Sequence, residues 1–191
     1  MIEKNYNESV LKNEPAAVSL IKLIFEIDKL TNSIENAISG EVFDTLIVKL
    51  KPTDGKSIKK TDWAFNWNNE IKDKTKQVYK LTTESNSTII HGLISLTDKG
   101  DHIYMDLIES AKFNKGKGKL YRGVAGNLVV FGCKMSFEKK YDGIVSFIAK
   151  TQLVEHYEQT LGAKLFGGNR MFIDTKEAFI LTSKYFKDFK L

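Results

Sequence analysis

Apolar residues recur at steps of three and four near the start of the chain, which is the spacing of one helical face. They predict a helix over residues 16–39 that ends at Gly40. We expect this helix to pack, as an N-terminal extension (residues 1–40), on a domain formed by residues 41–191. Self-association through the same stripe, as in a homodimer, is the alternative. The residues of the stripe are Ala17, Leu20, Ile21, Ile24, Ile27, Ile34 and Ile38.

The pattern then changes to one typical of strands and loops. An apolar run predicts a strand over 42–50, ended by Pro52, and a lysine-rich loop follows over 52–62. Trp63, Phe65 and Trp67 alternate with small or polar residues, which favours a half-buried strand. Residues 68–76 are polar and are predicted to form a loop.

The second half of the chain has stronger signals, and its predicted elements alternate between strands and helices, which indicates a mixed α/β (α+β) fold. Between residues 77 and 82 the type of element stays open. The predicted elements are a hairpin of strands 89–96 and 102–108, a helix from about Gly123, a buried strand 144–149, a helix from Thr151 to Gly162, a hairpin over 165–173, and a helix from Asp174 to Tyr185.

Composition narrows the class of protein. The chain has 191 residues, of which 42% are hydrophobic and 28% charged, the balance of one ordinary globular domain. No run approaches eighteen apolar residues, so we expect no membrane partner. The start, MIEKNYNESV, has no apolar signal region, which favours a cytoplasmic location. The single cysteine, Cys133, excludes a disulfide framework and is interpreted as a buried thiol. One cysteine and three histidines are too few for a typical four-ligand zinc site, so we expect no metal.

The positive charge points weakly to anionic small molecules. The formal net charge is +5, but of 29 basic residues only Arg122 and Arg170 are arginine. Proteins that read nucleic acid usually place arginine at base edges and phosphates. We therefore interpret most of the lysines as a solvated surface and expect no nucleic-acid partner.

A segment rich in glycine and lysine, residues 112–126, connects a predicted strand to a predicted helix. A helix N-terminus presents unpaired backbone N–H groups and the positive end of the helix dipole. Small residues at Gly123, Ala125 and Gly126 would let a phosphate approach, with Lys119 and Arg122 adding charge. The segment fits a pyrophosphate site, although it is neither a P-loop nor a G-x-G-x-x-G loop. A flexible surface loop with glycines that serve helix packing is the alternative.

The order of these elements resembles the GNAT acetyltransferase family. Gly123-Val124-Ala125 is similar to the end of the family's phosphate-loop motif, although Leu120 stands where the family has Arg or Gln. The segment from His156 to Lys164 is similar to the family's tyrosine-containing motif, with one extra residue before the glycine and Ala163 in place of the aromatic. The resemblance covers about residues 86–173.

This resemblance implies a GNAT-like fold: a central, mostly antiparallel twisted sheet with a V-shaped splay, flanked by helices. It also implies an N-acetyltransferase that uses acetyl-CoA as acyl donor, without a metal, and a small-molecule or protein amine as acceptor. The strand before the glycine loop would contact the pantetheine at the splay. The coenzyme-binding residues implied in this way are Leu107, Ile108, Glu109, Lys119, Tyr121, Arg122, Gly123, Val124, Ala125, Gly126 and Asn127.

Two residues are the candidates for proton transfer. By resemblance, Tyr157 would protonate the departing coenzyme A thiolate; the alternative is a core tyrosine on an apolar helical face. Glu109, at the end of its strand, would be the general base, with Asp106 as a second candidate. The alternative for Glu109 is a structural carboxylate paired with a lysine.

Other functions stay open. The departures from the motifs are compatible with an inactive GNAT-like module that binds acyl-CoA or regulates a partner. The net charge is compatible with an acyltransferase directed at RNA, although two arginines argue against strong RNA affinity. Trp63, Phe65 and Trp67 would either pack in the core or line an acceptor pocket.

Overall fold

The computed structural model describes residues 33–186 and 189–190. Within this range a nine-stranded mixed sheet is flanked by helices. The strands are β1 (Ser33–Asn36), β2 (Val42–Lys49), β3 (Lys76–Thr83), β4 (Gly92–Asp98), β5 (Ile103–Ser110), β6 (Tyr121–Arg122), β7 (Val145–Ile148), β8 (Lys164–Gly167) and β9 (Arg170–Ile173). The helices are α1 (Trp67–Lys72), α2 (Val124–Glu138), α3 (Val154–Leu161) and α4 (Thr175–Tyr185).

The strand order is β6-β1-β2-β3-β4-β5-β7-β9-β8. Every pair is antiparallel except β5 with β7, which run parallel and pair at two positions only. The chain between these two strands forms α2, the crossover helix that a parallel pair requires. The sheet therefore consists of two antiparallel parts joined at one short parallel contact.

The sheet separates two apolar cores. The larger core contains α2 residues such as Leu128 and Val129 together with Ile94 of β4. The smaller core lies on the opposite face and contains Trp67 and Leu93. Neighbouring residues Leu93 and Ile94 enter different cores because successive side chains of a strand point to opposite faces.

A β-bulge interrupts this alternation in β5. Leu96 pairs with Met105 and the preceding Ser95 pairs with Leu107, so Asp106 is the extra residue. A bulge bends a strand and changes which face the following side chains reach. As a result, Met105 and Ile108 both enter the larger core.

The predicted helix over 16–39 is wrong at its C-terminal end. Residues 33–36 form β1, whose Ile34 pairs with Phe43 of β2, and Ile38 is 86% exposed in the turn that follows. Asn36 favours this turn because its side-chain oxygen accepts hydrogen bonds from the backbone N–H groups of Ile38 and Ser39. Residues 1–32, the rest of the predicted helix, lie outside the described residues.

The strand predicted for Trp63, Phe65 and Trp67 is also wrong, and the loop predicted over 68–76 forms only at residues 73–75. Residues 63–66 are irregular, Trp67 begins α1, and β3 begins at Lys76. The alternation of aromatic residues arises from one compact cluster, in which the rings of Trp63 and Trp67 meet edge to face at 6.3 Å.

The remaining elements are confirmed within a few residues. The hairpin forms as β4 and β5, the helix after Gly123 as α2, and the buried strand as β7. The second predicted hairpin forms as β8 and β9. Gly162 ends α3 with a positive φ of 62°, and Asp174 caps α4 by accepting a hydrogen bond from the backbone N–H of Glu177.

Candidate active site

A cavity opens where β5 and β7 separate. Their pairing stops at Tyr104 and Ser146, two residues before the bulge at Asp106. Beyond these positions no strand of the described residues pairs with that edge of β5. The gap has a volume of about 440 Å³. Its wall consists of Ala64, Phe65, Ile108, Glu109, Ser110, Asn114, Lys115, Gly116, Lys119, Tyr121, Val124, Ala125, Gln152 and Leu153.

The N-terminus of α2 forms one side of the cavity. Gly123 precedes the helix with a φ of 89°, a conformation that favours glycine, and Val124 and Ala125 reach the wall. The first N–H groups of a helix have no partner within it, and they carry the positive end of its dipole. The start of this fifteen-residue helix therefore places backbone donors beside the cavity.

Gly92 of β4 lets α2 come this close to the sheet. A Cβ atom at this position would lie 2.7 Å from Val124 Cγ1 and 2.9 Å from Leu128 Cδ1. It would also lie 3.2 Å from the backbone oxygen of Glu109. The first turn of α2 is thus seated directly on the strand pair that ends at the cavity.

The long connection between β5 and α2 supplies the basic wall. Lys115 and Lys119 line the cavity, together with Tyr121. The last residues of the connection are fixed to the sheet, because β6 pairs with β1. Lys115 Nζ is paired with Glu109 Oε1 at 2.6 Å, so Lys119 beside the helix N-terminus is the lysine of this wall that favours an anion.

His91 holds this connection in place. The His91 ring lies 4.7 Å from the Tyr121 ring and 5.7 Å from the Phe113 ring, both edge to face. The Asn114 side-chain amide donates a hydrogen bond to the backbone oxygen of His91 at 3.2 Å. Burial lowers the pKa of His91 to about 4, so the ring is neutral at pH 7.

Glu109 lies at the end of β5 with 3% of its surface exposed. Its Oε1 atom accepts hydrogen bonds from the backbone N–H of Ala64 at 2.7 Å and from Lys115 Nζ at 2.6 Å. Its Oε2 atom accepts from Trp67 Nε1 at 2.8 Å and from the backbone N–H of Phe65 at 3.3 Å. Both oxygens of the predicted general base are therefore engaged within the protein.

Asp106, the second candidate base, does not reach the cavity wall. It accepts a hydrogen bond from Thr97 Oγ1 at 2.7 Å and lies 3.6 Å from Lys76 Nζ. Burial raises the pKa of its carboxyl group, although Thr97 and Lys76 oppose this shift.

Tyr157, the predicted general acid, lies in the larger core. It is fully buried, and its ring meets Phe147 edge to face at 5.6 Å. Tyr157 is four residues after Leu153, which lines the cavity, so the two share one side of this segment. The structure places the tyrosine behind the cavity wall, and its role as acid stays a prediction.

The predicted coenzyme-binding residues fall into two groups. Six of them line the cavity: Ile108, Glu109, Lys119, Tyr121, Val124 and Ala125. The others, which are not on the wall, are Leu107, Arg122, Gly123, Gly126 and Asn127.

Residues of this second group support the site from behind. Leu107 packs in the smaller core, and Arg122 lies 3.9 Å from Glu35 of β1. Asn127 donates hydrogen bonds to the backbone oxygens of Gly123 at 2.8 Å and Ser33 at 3.2 Å. Asn127 thereby ties the start of α2 to β1.

Sequence reasoning missed several wall residues. Ala64 reaches the cavity because Glu109 binds its segment, and Gln152 because it follows the diverging β7. Both positions depend on contacts distant along the chain. Lys115 lies within the predicted glycine-rich segment, and its positive charge is the one sequence feature that could have indicated its place on the cavity wall.

The mostly antiparallel sheet, the divergence of β5 from β7 and the helix between them are the features that the sequence resemblance predicted. The chain has a GNAT-type fold. No family model matches the chain, and no curated protein matches it.

Similar solved structures are acetyltransferases of this fold. Mutant forms of the spermidine/spermine N-acetyltransferase SpeG from Vibrio cholerae are 16% identical with a TM-score of 0.49, over 72% of this chain and 98% of that one. Nourseothricin acetyltransferase is 13% identical with a TM-score of 0.45, over 69% and 98%. A dodecameric spermidine N-acetyltransferase from Vibrio cholerae is 15% identical with a TM-score of 0.45, over 70% and 95%.

Within the described residues, no group of three or more His, Cys, Asp or Glu side chains is placed to hold a metal ion. No helix within residues 33–186 has the length and apolar character needed to cross a membrane.

Proposed function

We propose that the protein is an N-acetyltransferase that transfers the acetyl group of acetyl-CoA to an amine. The observation that carries this proposal is the cavity between the diverging strands β5 and β7, with the N-terminus of α2 on its wall. The cavity combines an unpaired strand edge with a site favourable for an anion. Acetyl-CoA needs both, because it has an amide-containing arm and a pyrophosphate.

The pantetheine arm would lie along β5. Its amides would pair with the backbone of residues 107–109, as an extended ligand pairs with an exposed strand edge. In this position a backbone N–H could polarise the thioester carbonyl, which favours attack by an amine. The divergence of the strands leaves room for the arm to cross the sheet.

The pyrophosphate would lie at the start of α2. The N–H groups of the first turn, including those of Val124 and Ala125, would donate to its oxygens, with Lys119 as a nearby positive charge. The acceptor amine would enter past Ala64 and Phe65, which line the cavity. Tyr157 stays the proposed acid for the thiolate.

A binding module without catalysis is the second candidate. Two observations favour it: both oxygens of Glu109 accept hydrogen bonds from the protein, and Tyr157 is not on the cavity wall. Such a module would bind acetyl-CoA but would not turn it over with any amine.

Calorimetry with acetyl-CoA tests the proposed site. In Gly123→Glu the carboxylate would repel the pyrophosphate, and we expect binding to weaken by about tenfold or more. Because φ at Gly123 is 89°, any side chain there strains the backbone, and Gly123→Ala is the matched control for strain. We expect Gly123→Ala to bind more tightly than Gly123→Glu. Equal affinities of wild type and Gly123→Glu for acetyl-CoA would contradict the proposed position of the pyrophosphate.

A turnover assay separates the two candidate functions. Saturable acetyl-CoA binding with no turnover over a panel of amines would favour the binding module.

A further inference from the structure

Glu109 is in an unusual position for a proton acceptor. It is 3% exposed and receives four hydrogen bonds, two at each oxygen. A carboxylate has about four lone-pair sites, and these four donors occupy them. The hydrogen bonds therefore leave no lone pair of Glu109 directed at an amine in the cavity. Its contacts therefore indicate a different role.

Three of the four donors belong to one segment, residues 63–67, which we call the tryptophan segment. They are the backbone N–H groups of Ala64 and Phe65 and the indole N–H of Trp67. Residues 63–66 have no regular secondary structure. Glu109 is thus the partner of two backbone donors that a strand or helix would otherwise satisfy.

The tryptophan segment forms part of the wall of the cavity. Ala64 and Phe65 line the cavity, while Trp63 and Trp67 are buried behind them. The fourth donor, Lys115, comes from the glycine-rich connection itself. One carboxylate therefore connects the end of β5, the tryptophan segment and the connection that precedes α2.

We propose that Glu109 is a positioning residue that holds the tryptophan segment as the acceptor-side wall, and that it is not the general base. This inference rests on the proposed acetyltransferase function. In the positioning role Glu109 acts through Ala64 and Phe65, which would contact the acceptor. Amines with an aromatic or apolar group would suit this wall, because the carboxylate is already bound by Lys115 and three N–H groups.

The two tryptophans of the chain make the proposal directly measurable. Both lie in the tryptophan segment, so tryptophan emission, excited selectively over the seven tyrosines, reports on this segment. In Glu109→Gln one oxygen is replaced by an NH₂ group, which faces N–H donors and cannot accept from them. We expect a red-shifted emission and stronger acrylamide quenching than in the wild type. Glu158→Gln, an exposed carboxylate on α3, is the matched control and should leave both unchanged.

Kinetics with benzylamine as the probe separate positioning from base catalysis. If Glu109 positions the wall, Glu109→Gln should raise KM for benzylamine by about tenfold with a smaller change in kcat. A lower kcat with unchanged KM and an unchanged tryptophan spectrum would show instead that Glu109 is the base. An unchanged spectrum alone overturns the proposal, whichever amine is the natural acceptor.

Two further measurements keep the test valid if Glu109→Gln fails to fold. In the wild type, the Trp67 indole N–H should exchange slowly with deuterium, because Trp67 is 1% exposed and hydrogen-bonded to Glu109. Rapid exchange would show that Glu109 does not hold Trp67, and would overturn the proposal. Trp63→Phe assigns the two indole signals. Trp67→Phe keeps a ring but loses the donor, and a raised KM for benzylamine is expected. A wild-type protein that does not bind acetyl-CoA would contradict the proposed function. The indole exchange tests the hydrogen bond between Glu109 and Trp67 independently of that function.

Discussion

The close contact between Gly92 and α2 predicts that one added methyl group will disturb both stability and the cavity. In Gly92→Ala the new Cβ would lie 2.7 Å from Val124 Cγ1, about 1 Å inside an ordinary carbon–carbon contact. Val124 is β-branched and stiff, so relief requires movement of the first turn of α2. Overpacking of this kind costs about 1–3 kcal/mol, partly offset by about 0.5–1 kcal/mol from removing a glycine from a strand.

We therefore expect Gly92→Ala to lower the free energy of unfolding by about 1–2 kcal/mol, measured by urea denaturation. Because Val124 lines the cavity, acetyl-CoA binding measured by calorimetry should also weaken. Val124→Ala removes the clashing methyl groups. In a double-mutant cycle, Gly92→Ala should cost less in the Val124→Ala background, with a coupling of about 0.5–2 kcal/mol.

Gly132→Ala, in the middle of α2, is the matched control. Its Cβ would lie 3.8 Å from both Leu96 Cδ2 and Val145 Cγ2, which is ordinary contact. Replacing a mid-helix glycine should then stabilise the protein by about 0.5–1 kcal/mol. If Gly92→Ala proved as stable as Gly132→Ala, α2 would not be seated on Gly92, and this explanation of the cavity would be refuted.

Two other predictions concern His91 and Tyr157. Burial lowers the pKa of His91 from 6.5 to about 4, so the unfolded chain binds the proton more readily than the folded chain. The free energy of unfolding should therefore fall as the pH drops from about 7 towards 4, by about 2 kcal/mol at pH 5. Urea denaturation at pH 7.5 and 5.0 should show this loss in the wild type and a smaller one in His91→Phe; equal losses would exclude His91 as the cause. Tyr157→Phe keeps the ring that packs on Phe147 and should cost no more than about 1 kcal/mol of stability. It should slow acetyl-CoA turnover by about 10²-fold if Tyr157 is the acid, whereas an unchanged rate of acetyl-CoA hydrolysis would show that Tyr157 is a core residue.

Most of the fold from β4 onwards could be predicted from the sequence, because its signals are local. Gly162 and Asp174 mark helix ends through their own backbone or side-chain chemistry, and the apolar run at 144–149 has the pattern of a buried strand. The errors lie where tertiary contacts decide. Ile34 continues the helical spacing of the N-terminal stripe but pairs with Phe43 in the sheet.

The site was predictable in part for the same reason. The glycine-rich segment and its lysines are visible in the sequence, and Lys119 and Ala125 are on the cavity wall. The bulge at Asp106 and the contacts of Glu109 with Ala64 are not visible, because they join residues through the folded sheet. A carboxylate at the end of a strand suggests a base, and only the folded structure shows which donors surround it.

Hydrogen–deuterium exchange with and without acetyl-CoA tests the central claim most directly. If the coenzyme lies between β5 and β7 with its pyrophosphate at α2, the backbone amides of residues 107–111 and 119–127 should become protected on binding. Gly123→Glu should lose this protection at the same coenzyme concentration. Saturable binding that protects a different surface, or no change in these two segments at saturation, would contradict the account.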